Sequence, residues 1–271
     1  MIGWLRLVFA LSCVAIATIV LVPIQLLAMK TGWFSENVPR SLWHRVNVRA
    51  LGFRIHRTGV LTDKRPLLIA ANHISWTDIE VMASLYDISF IAKSDLAGWP
   101  LIGWLSRMQR PVYVERTRKR TSGAQASEIA RRLAAGEAIV LFAEGTTGDG
   151  NRILPFKSTL FGAAAMAIAE GAVDKVYIQP VAVAYTRVHG MPMGRRYRPL
   201  AAWIGDQDLV PTLGELLRVG AVDVELQFGD PIAFSAGSNR KAVTLEVEAR
   251  VRQMMQAALR EPAPSSPSGA A

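Results

Sequence analysis

The sequence predicts an α/β fold, a mixed, mostly parallel sheet flanked by helices, with an N-terminal membrane-anchoring helix ahead of it. Three observations predict it. Short, near-continuous apolar runs rich in β-branched and aromatic residues have the pattern of strands buried on both faces. They alternate with segments of helical character, the order that builds α/β domains. The stretch from Leu7 to Met29 carries no charged residue and is bounded by Arg6 and Lys30, long enough to cross a hydrocarbon core.

Element by element, residues 1–31 are expected to be the membrane anchor. A secretory signal would have a shorter apolar region and a small-residue cleavage site, and none is visible near Met29. Lys30, Arg40, Arg45 and Arg49 follow closely, so the positive-inside rule puts the following chain on the cytoplasmic side. Pro23 and Gln25 interrupt the apolar pattern, which leaves a helix lying in one leaflet as the alternative. Residues 32–59 form a juxtamembrane amphipathic segment, in which Leu42, Trp43 and Val46 alternate with arginines. Trp43 with His44, Arg45 and Arg49 suits a membrane interface.

Residues 60–261 then form one catalytic-sized domain. Strands are expected at Pro66–Ala71, Ile88–Lys93, Pro111–Arg116, Ala138–Glu144, Val176–Thr186 and Val222–Gly229. Helices are expected at Ser122–Ala135, opened by a Ser-x-x-Gln capping pattern and stopped by Gly136, at Thr159–Glu170, stopped by Gly171, and at Arg240–Arg260. In the last, Val243, Val247, Val251 and Met254 recur at helical spacing. Residues 262–271, EPAPSSPSGAA from Glu261 onward, have no means of packing and are expected to be disordered.

Composition narrows the chemistry. The 31 Lys and Arg against 22 Asp and Glu give the 271-residue chain a net charge of +9, which suits any anionic partner. No nucleic-acid recognition motif is present, and the anchor argues against such a partner. The one cysteine, Cys13, lies in the anchor, so disulfides, thiolate metal sites and a cysteine nucleophile are excluded. No Gly-x-Ser-x-Gly elbow is present for a serine hydrolase, and no P-loop or calcium loop.

Chemistry-bearing residues gather at strand ends, where α/β domains place their ligands. The stretch LLIAANHISWTDIEVM delivers Asn72, His73, Ser75 and Asp78 at the mouth of an apolar strand. On one continuous helix His73 and Asp78 would point about 140° apart, so His73 must precede the helix. With Ser75 as N-cap and Asp78 at the third helical position, the loop can fold back to join imidazole and carboxylate. A second cluster, Glu144-Gly145-Thr146-Thr147, ends another strand, with a glycine that lets the backbone approach a ligand and hydroxyls that can hold an oxygen-rich headgroup. Lys93 and Arg116 each terminate a strand, and Pro180 falls inside one, as at a bulge or edge. No metal site is expected.

These blocks together resemble the glycerolipid, or lysophosphatidate-type, acyltransferases, including their lyso-ornithine lipid branch. The match consists of NHISWTD (His73, Asp78), Lys93 with Gly103 and Arg116, FAEGTT (Glu144, Gly145, Thr146) and IQPVAVA (Pro180), over roughly residues 67–184. The resemblance implies that His73 takes the proton from a lysolipid hydroxyl, with Asp78 fixing its tautomer, as the hydroxyl attacks an acyl thioester. It implies that Glu144, Gly145 and Thr146 orient the acceptor and that Lys93 and Arg116 hold anionic oxygens. It implies no cofactor; the co-substrate is acyl carrier protein or coenzyme A thioester, at the cytoplasmic face of a bacterial inner membrane. Phosphate-using members commonly read Glu-Gly-Thr-Arg, whereas this chain has Thr147, which cannot supply a charged fork. That tilts the expected acceptor from 1-acylglycerol-3-phosphate toward phosphate-free lyso-ornithine lipid. The competing expectation is a non-enzymatic basic membrane scaffold that binds anionic lipid.

Overall fold

The computed structural model describes residues 2–93, 98, 102–114, 122–204 and 209–261. Helices α1 (Ile2–Thr31) and α2 (Asn37–Leu51) lead into strand β1 (Phe53–Thr58). Then follow β2 (Leu67–Ala71), α3 (Thr77–Leu85), β3 (Ser89–Lys93), α4 (Ile102–Met108), β4 (Val112–Val114), α5 (Ser122–Ala134) and β5 (Ala138–Phe142). After a 3-10 turn come α6 (Gly162–Ala169), β6 (Lys175–Val188), β7 (Met191–Pro192) and α7 (Gly194–Tyr197). The chain closes with α8 (Leu209–Val219), β8 (Val222–Phe228), β9 (Ile232–Ser235) and α9 (Arg240–Arg260).

The sheet runs β1-β8-β6-β2-β5-β3-β4, with β7 and β9 also paired to β6. Its β6-β2-β5-β3-β4 half is parallel, β1 is parallel to β8, and β6 meets β7, β8 and β9 antiparallel. The expected mixed, mostly parallel sheet is therefore present. Strands β2 and β5 are buried at every position, as their unbroken apolar runs require. On β6 lie Val247, Val251, Met255 and Ala258 of α9, all at 2 % exposure or less. The buried stripe thus ends on Met255 and Ala258, with Val243 and Met254 on its partly buried margin.

Two local departures from the sequence reading have physical causes. Residues 53–58, expected within the juxtamembrane segment, are a strand of the sheet paired along its length with β8; its single-residue polar alternation and short length hid it beside the arginines of α2. Pro180 is neither at an edge nor at a bulge. It pairs with Ala70 in a central strand. The amide of Tyr177 faces β2, so the nitrogen of Pro180 turns the other way, where β8 ends at Phe228 opposite Val181 and β9 begins at Ile232 opposite Ile178. A missing donor falls in the gap between partners and costs no ladder bond. The bulge lies instead between Tyr185 and Arg187. The expected tail, 262–271, lies outside the described residues.

Helix α1 is long and apolar enough to cross a membrane, yet it is fastened to the body along its length. Arg6 donates to the carbonyls of Leu217 and Leu51, the Trp43 indole donates to Thr18, and the Gln25 amide donates to Met108 O. Ala10, Ala17 and Ala28 face inward, while Trp4, Leu5, Val8, Phe9, Ile16, Ile19 and Val20 stay exposed. Helix α2 is bound in turn to α3, through His44 and Asn47 to Glu80 and Arg45 to Ser84 O.

Candidate active site

The parallel strands β2 and β5 end side by side, Ala71 opposite Phe142, and both site loops leave from this point. Asn72 continues the ladder with its side chain: its amide donates to Val183 O at 2.9 Å and accepts from Val183 N at 2.8 Å. That pair pins the strand end to β6 and fixes where the next residue, His73, begins. The imidazole of His73 stacks on the Phe142 ring, 3.8 Å between centroids and 11° between planes.

The expected fold-back is present. His73 Nδ1 lies 2.8 Å from Asp78 Oδ2. The same oxygen accepts the backbone N–H of Ile74 at 2.7 Å and of Ser75 at 3.0 Å. The carboxylate half of the capping box is thus formed, whereas the serine half is weak. Ser75 Oγ reaches only Thr77 N, at 3.5 Å, and α3 starts at Thr77 after Trp76. On the opposite side, Asp78 Oδ1 accepts the hydroxyl of Tyr185 at 2.7 Å, and that hydroxyl sits 2.6 Å from Thr77 Oγ1. Asp78 is fully buried; four donors and the N-terminal end of α3 make its charge tolerable there. Burial, then the Asp78 charge, pushes the Tyr185 phenol well above its ordinary range, so it stays a donor. With Nδ1 on the carboxylate, His73 Nε2 has no protein partner among the described residues, and the side chain is 17 % exposed. The pair thus leaves the second ring nitrogen on a partly exposed side chain.

The second loop closes over the first. Gly145, at φ +70°, turns the chain after Glu144, and Lys157 N returns to Ala143 O at 2.8 Å. Gly148 N donates to His73 O at 2.8 Å. Thr146 is exposed and Thr147 half-buried. Glu144, expected to orient the acceptor, points inward: it is 2 % exposed, Oε1 accepts Leu154 N at 3.2 Å, and Oε2 is buried without a partner among the described residues. Burial raises its pKa to about 8 against the pull of the Leu154 and His73 amides, so near neutral pH it is an uncharged carboxylic acid. It lies beneath the loop, where the Asp78 charge adds to the upward shift and the Arg252 charge offsets it only in part. Lys93 ends β3 as expected, but its side chain is not described, and Arg116 lies outside the described residues. Among the described residues no group of three or more His, Cys, Asp or Glu converges as a metal site would.

Sequence reasoning missed Tyr185 and Phe142. Both sit in runs read only as apolar, although a phenol inside a buried strand needs a partner for its hydroxyl.

The acyltransferase family model matches residues 47–184, from the end of α2 to the middle of β6. The chain belongs to the acyltransferase family. It is an enzyme, and both site loops lie inside the matched span. Among its relatives is a lyso-ornithine lipid O-acyltransferase of Brucella abortus (strain 2308), 49 % identical over 261 residues, 96 % of this chain and 97 % of that one. Another of the same description, from Rhizobium meliloti (strain 1021), is 46 % identical over 98 % of this chain and 94 % of that one. A 1-acyl-sn-glycerol-3-phosphate acyltransferase of Neisseria meningitidis serogroup B is 33 % identical over 70 % of this chain and 69 % of that one. The crystal structure of the 1-acyl-sn-glycerophosphate acyltransferase PlsC of Thermotoga maritima shares the fold, with a TM-score of 0.64 at 19 % identity over 94 % of this chain and 95 % of that one. In this acyltransferase His73 and Asp78 stand at hydrogen-bond distance across the first loop.

Proposed function

We propose that this acyltransferase moves a fatty acyl group from an acyl thioester, carried by acyl carrier protein or coenzyme A, to the hydroxyl of a membrane lysolipid, and that the acceptor is lyso-ornithine lipid. The observation that carries the chemistry is the His73–Asp78 pair with Nε2 open to solvent. Nε2 takes the acceptor's hydroxyl proton as its oxygen attacks the thioester carbonyl. Asp78 holds the proton-bearing Nδ1 and stabilises the imidazolium. The tetrahedral adduct collapses by breaking the carbon–sulfur bond, and the imidazolium returns the proton to the departing thiolate. Ester and free thiol balance the step, and no covalent enzyme intermediate is needed because the thioester is already activated. Gly145, Thr146 and Thr147 border the acceptor, Lys93 and Arg116 bind anionic oxygens of donor or acceptor, and neutral Glu144 holds the bordering loop from beneath. Supporting the acceptor are the two relatives of highest identity quoted above and the threonine at position 147.

Helix α1 supports a membrane position. Its bonds to the body at Arg6, Thr18 and Gln25 lay it along α2, whose arginines could not follow it across hydrocarbon. These bonds support a helix α1 lying in one leaflet with its exposed apolar face in lipid, and the basic residues that follow it support the cytoplasmic side of the inner membrane.

The test is acyl transfer in membranes from labelled thioester to lyso-ornithine lipid and lysophosphatidate offered side by side. The expected result is preference for the former and a loss of roughly 10²-fold or more in His73→Ala. Undiminished transfer in that variant would reject His73 as the base, and preference for lysophosphatidate would reject the acceptor.

A further inference from the structure

Beyond the catalytic pair, the second loop carries a charged group that the reaction above does not use. From Gly148, bonded to His73 O, the chain runs on to Asp149, Gly150 and Asn151. Asn151 joins two charges. Its Nδ2 donates to Asp149 Oδ2 at 3.3 Å, and its Oδ1 accepts from Arg198 Nη1 at 3.0 Å. The loop is locked, because Asn151 N also donates to Asp149 Oδ1 at 2.9 Å and Asn151 Nδ2 to Arg195 O at 3.2 Å.

Neither charge is closed into a salt bridge: among the described residues no ion pair includes Asp149 or Arg198, and they act on each other and on Arg152 and Arg195 only through space. Arg198 Nε is buried with no hydrogen-bond partner, although a guanidinium N–H removed from water is costly to leave unmade. Both residues are half-buried, with Arg152 and Arg195 exposed on the rim. The cluster stands beside the base. A methyl placed on Gly150 would lie 3.5 Å from Ile74 Cγ2, the residue after His73, and 3.7 Å from Arg198 Cβ. Trp203 N, a few residues past Arg198, donates to Ile74 O at 2.9 Å.

We propose that Arg198 and Asp149, held one amide apart by Asn151, form a subsite for a zwitterionic amino-acid headgroup, the guanidinium taking its carboxylate and the aspartate its ammonium. The proposal rests on the lyso-ornithine lipid reading. An ornithine acylated on its α-nitrogen retains a carboxylate and a terminal ammonium joined by a short methylene chain. It offers a carboxylate to the guanidinium and an ammonium to the aspartate, neither of which has a direct salt-bridge partner among the described residues. The Asp149 carboxyl is held below its ordinary range by the Asn151 and Arg152 amides and the Arg152 charge, against the upward pull of burial, so it is ionised at neutral pH. A phosphate headgroup could engage Arg198 but would meet Asp149 as a like charge. The subsite thus selects against lysophosphatidate independently of Thr147.

The experiment measures KM for the acceptor with the full-length enzyme and three probes: lyso-ornithine lipid, its carboxylate methyl ester and its terminal N-acetyl derivative. Each cap is expected to raise KM for the wild-type enzyme roughly ten- to a hundred-fold, the range of a charge-assisted hydrogen bond. Arg198→Gln should raise KM for the parent lipid by a similar factor and add nothing for the methyl ester; Asp149→Asn should do likewise with the N-acetyl derivative, and should improve the use of lysophosphatidate. The wild-type series decides the matter even where a variant folds poorly. Equal KM for parent and capped acceptors would overturn the subsite alone. No transfer by wild-type enzyme to lyso-ornithine lipid would overturn the acceptor reading and the subsite with it.

Discussion

Tyr185 donates its hydroxyl to Asp78 Oδ1 at 2.7 Å, on the side of the carboxylate opposite His73. A residue of β6, over a hundred positions downstream, thereby fixes the plane of the carboxylate that holds His73. A carboxylate held only on Oδ2 could rotate about its terminal torsion, which is soft, and carry Nδ1 with it. Tyr185→Phe removes one bond to a charged acceptor, about 1.5–3 kcal/mol. Because the ring stays packed, the variant is expected to fold and to lose roughly ten-fold in kcat, with KM for the acceptor changing less. A kcat equal to that of the wild type would show that the two amides and His73 suffice to hold Asp78.

Glu144 makes stability pH-dependent in a defined direction. Its folded pKa, about 8, lies above its unfolded value of 4.5, so the folded state keeps a proton that the unfolded chain gives up. The stabilisation this confers is complete below pH 4.5 and is lost as the pH rises to about 8, at up to about 1.4 kcal/mol per pH unit. Denaturant midpoints measured in detergent between those limits should fall with pH in the wild type and fall less steeply in Glu144→Gln, where the buried group cannot ionise. Identical slopes would mean that Glu144 is already ionised at neutral pH.

Arg6 was expected to be a charge flanking a membrane segment and instead ties α1 to the carbonyls of Leu51 and Leu217, the C-terminal ends of α2 and α8. A cation there answers the negative ends of both helices. The guanidinium fits because Gly52 and Gly220 bring no side chains: a Cβ on Gly52 would come within 2.0 Å of Arg6 Nη2 and 2.9 Å of Ala221 N. Arg6→Ala is expected to lower the thermal midpoint by several degrees, since about 1–3 kcal/mol of bonding to carbonyls is lost. Protease cleavage between residues 31 and 37, where α1 joins α2, should quicken. Sedimentation with membranes should be unaffected because the exposed apolar face of α1 is intact. Release from membranes would show that the clamp, rather than that face, holds the protein at lipid.

The sequence by itself determined what local physics controls. Unbroken apolar runs had to be strands buried on both faces, as in β2 and β5. Glycines at 136 and 171 marked where α5 and α6 stop. The five-residue spacing of His73 and Asp78 required a loop before the helix. Family resemblance then named the chemistry. Tertiary structure decided everything that depends on pairing between distant segments. The placement of Tyr185 behind Asp78 and of Phe142 under His73 comes from sheet order, and one strand's periodicity carries no information about its neighbours. Whether Glu144 faces substrate or core depends on the path of the returning 148–157 loop, and its pKa depends on that burial. Pro180 sits in a central strand because two other strands share one side of β6. The pairing of Asp149 with Arg198 through Asn151 joins residues far apart in the chain, so only the folded surface brings those charges within reach of one headgroup.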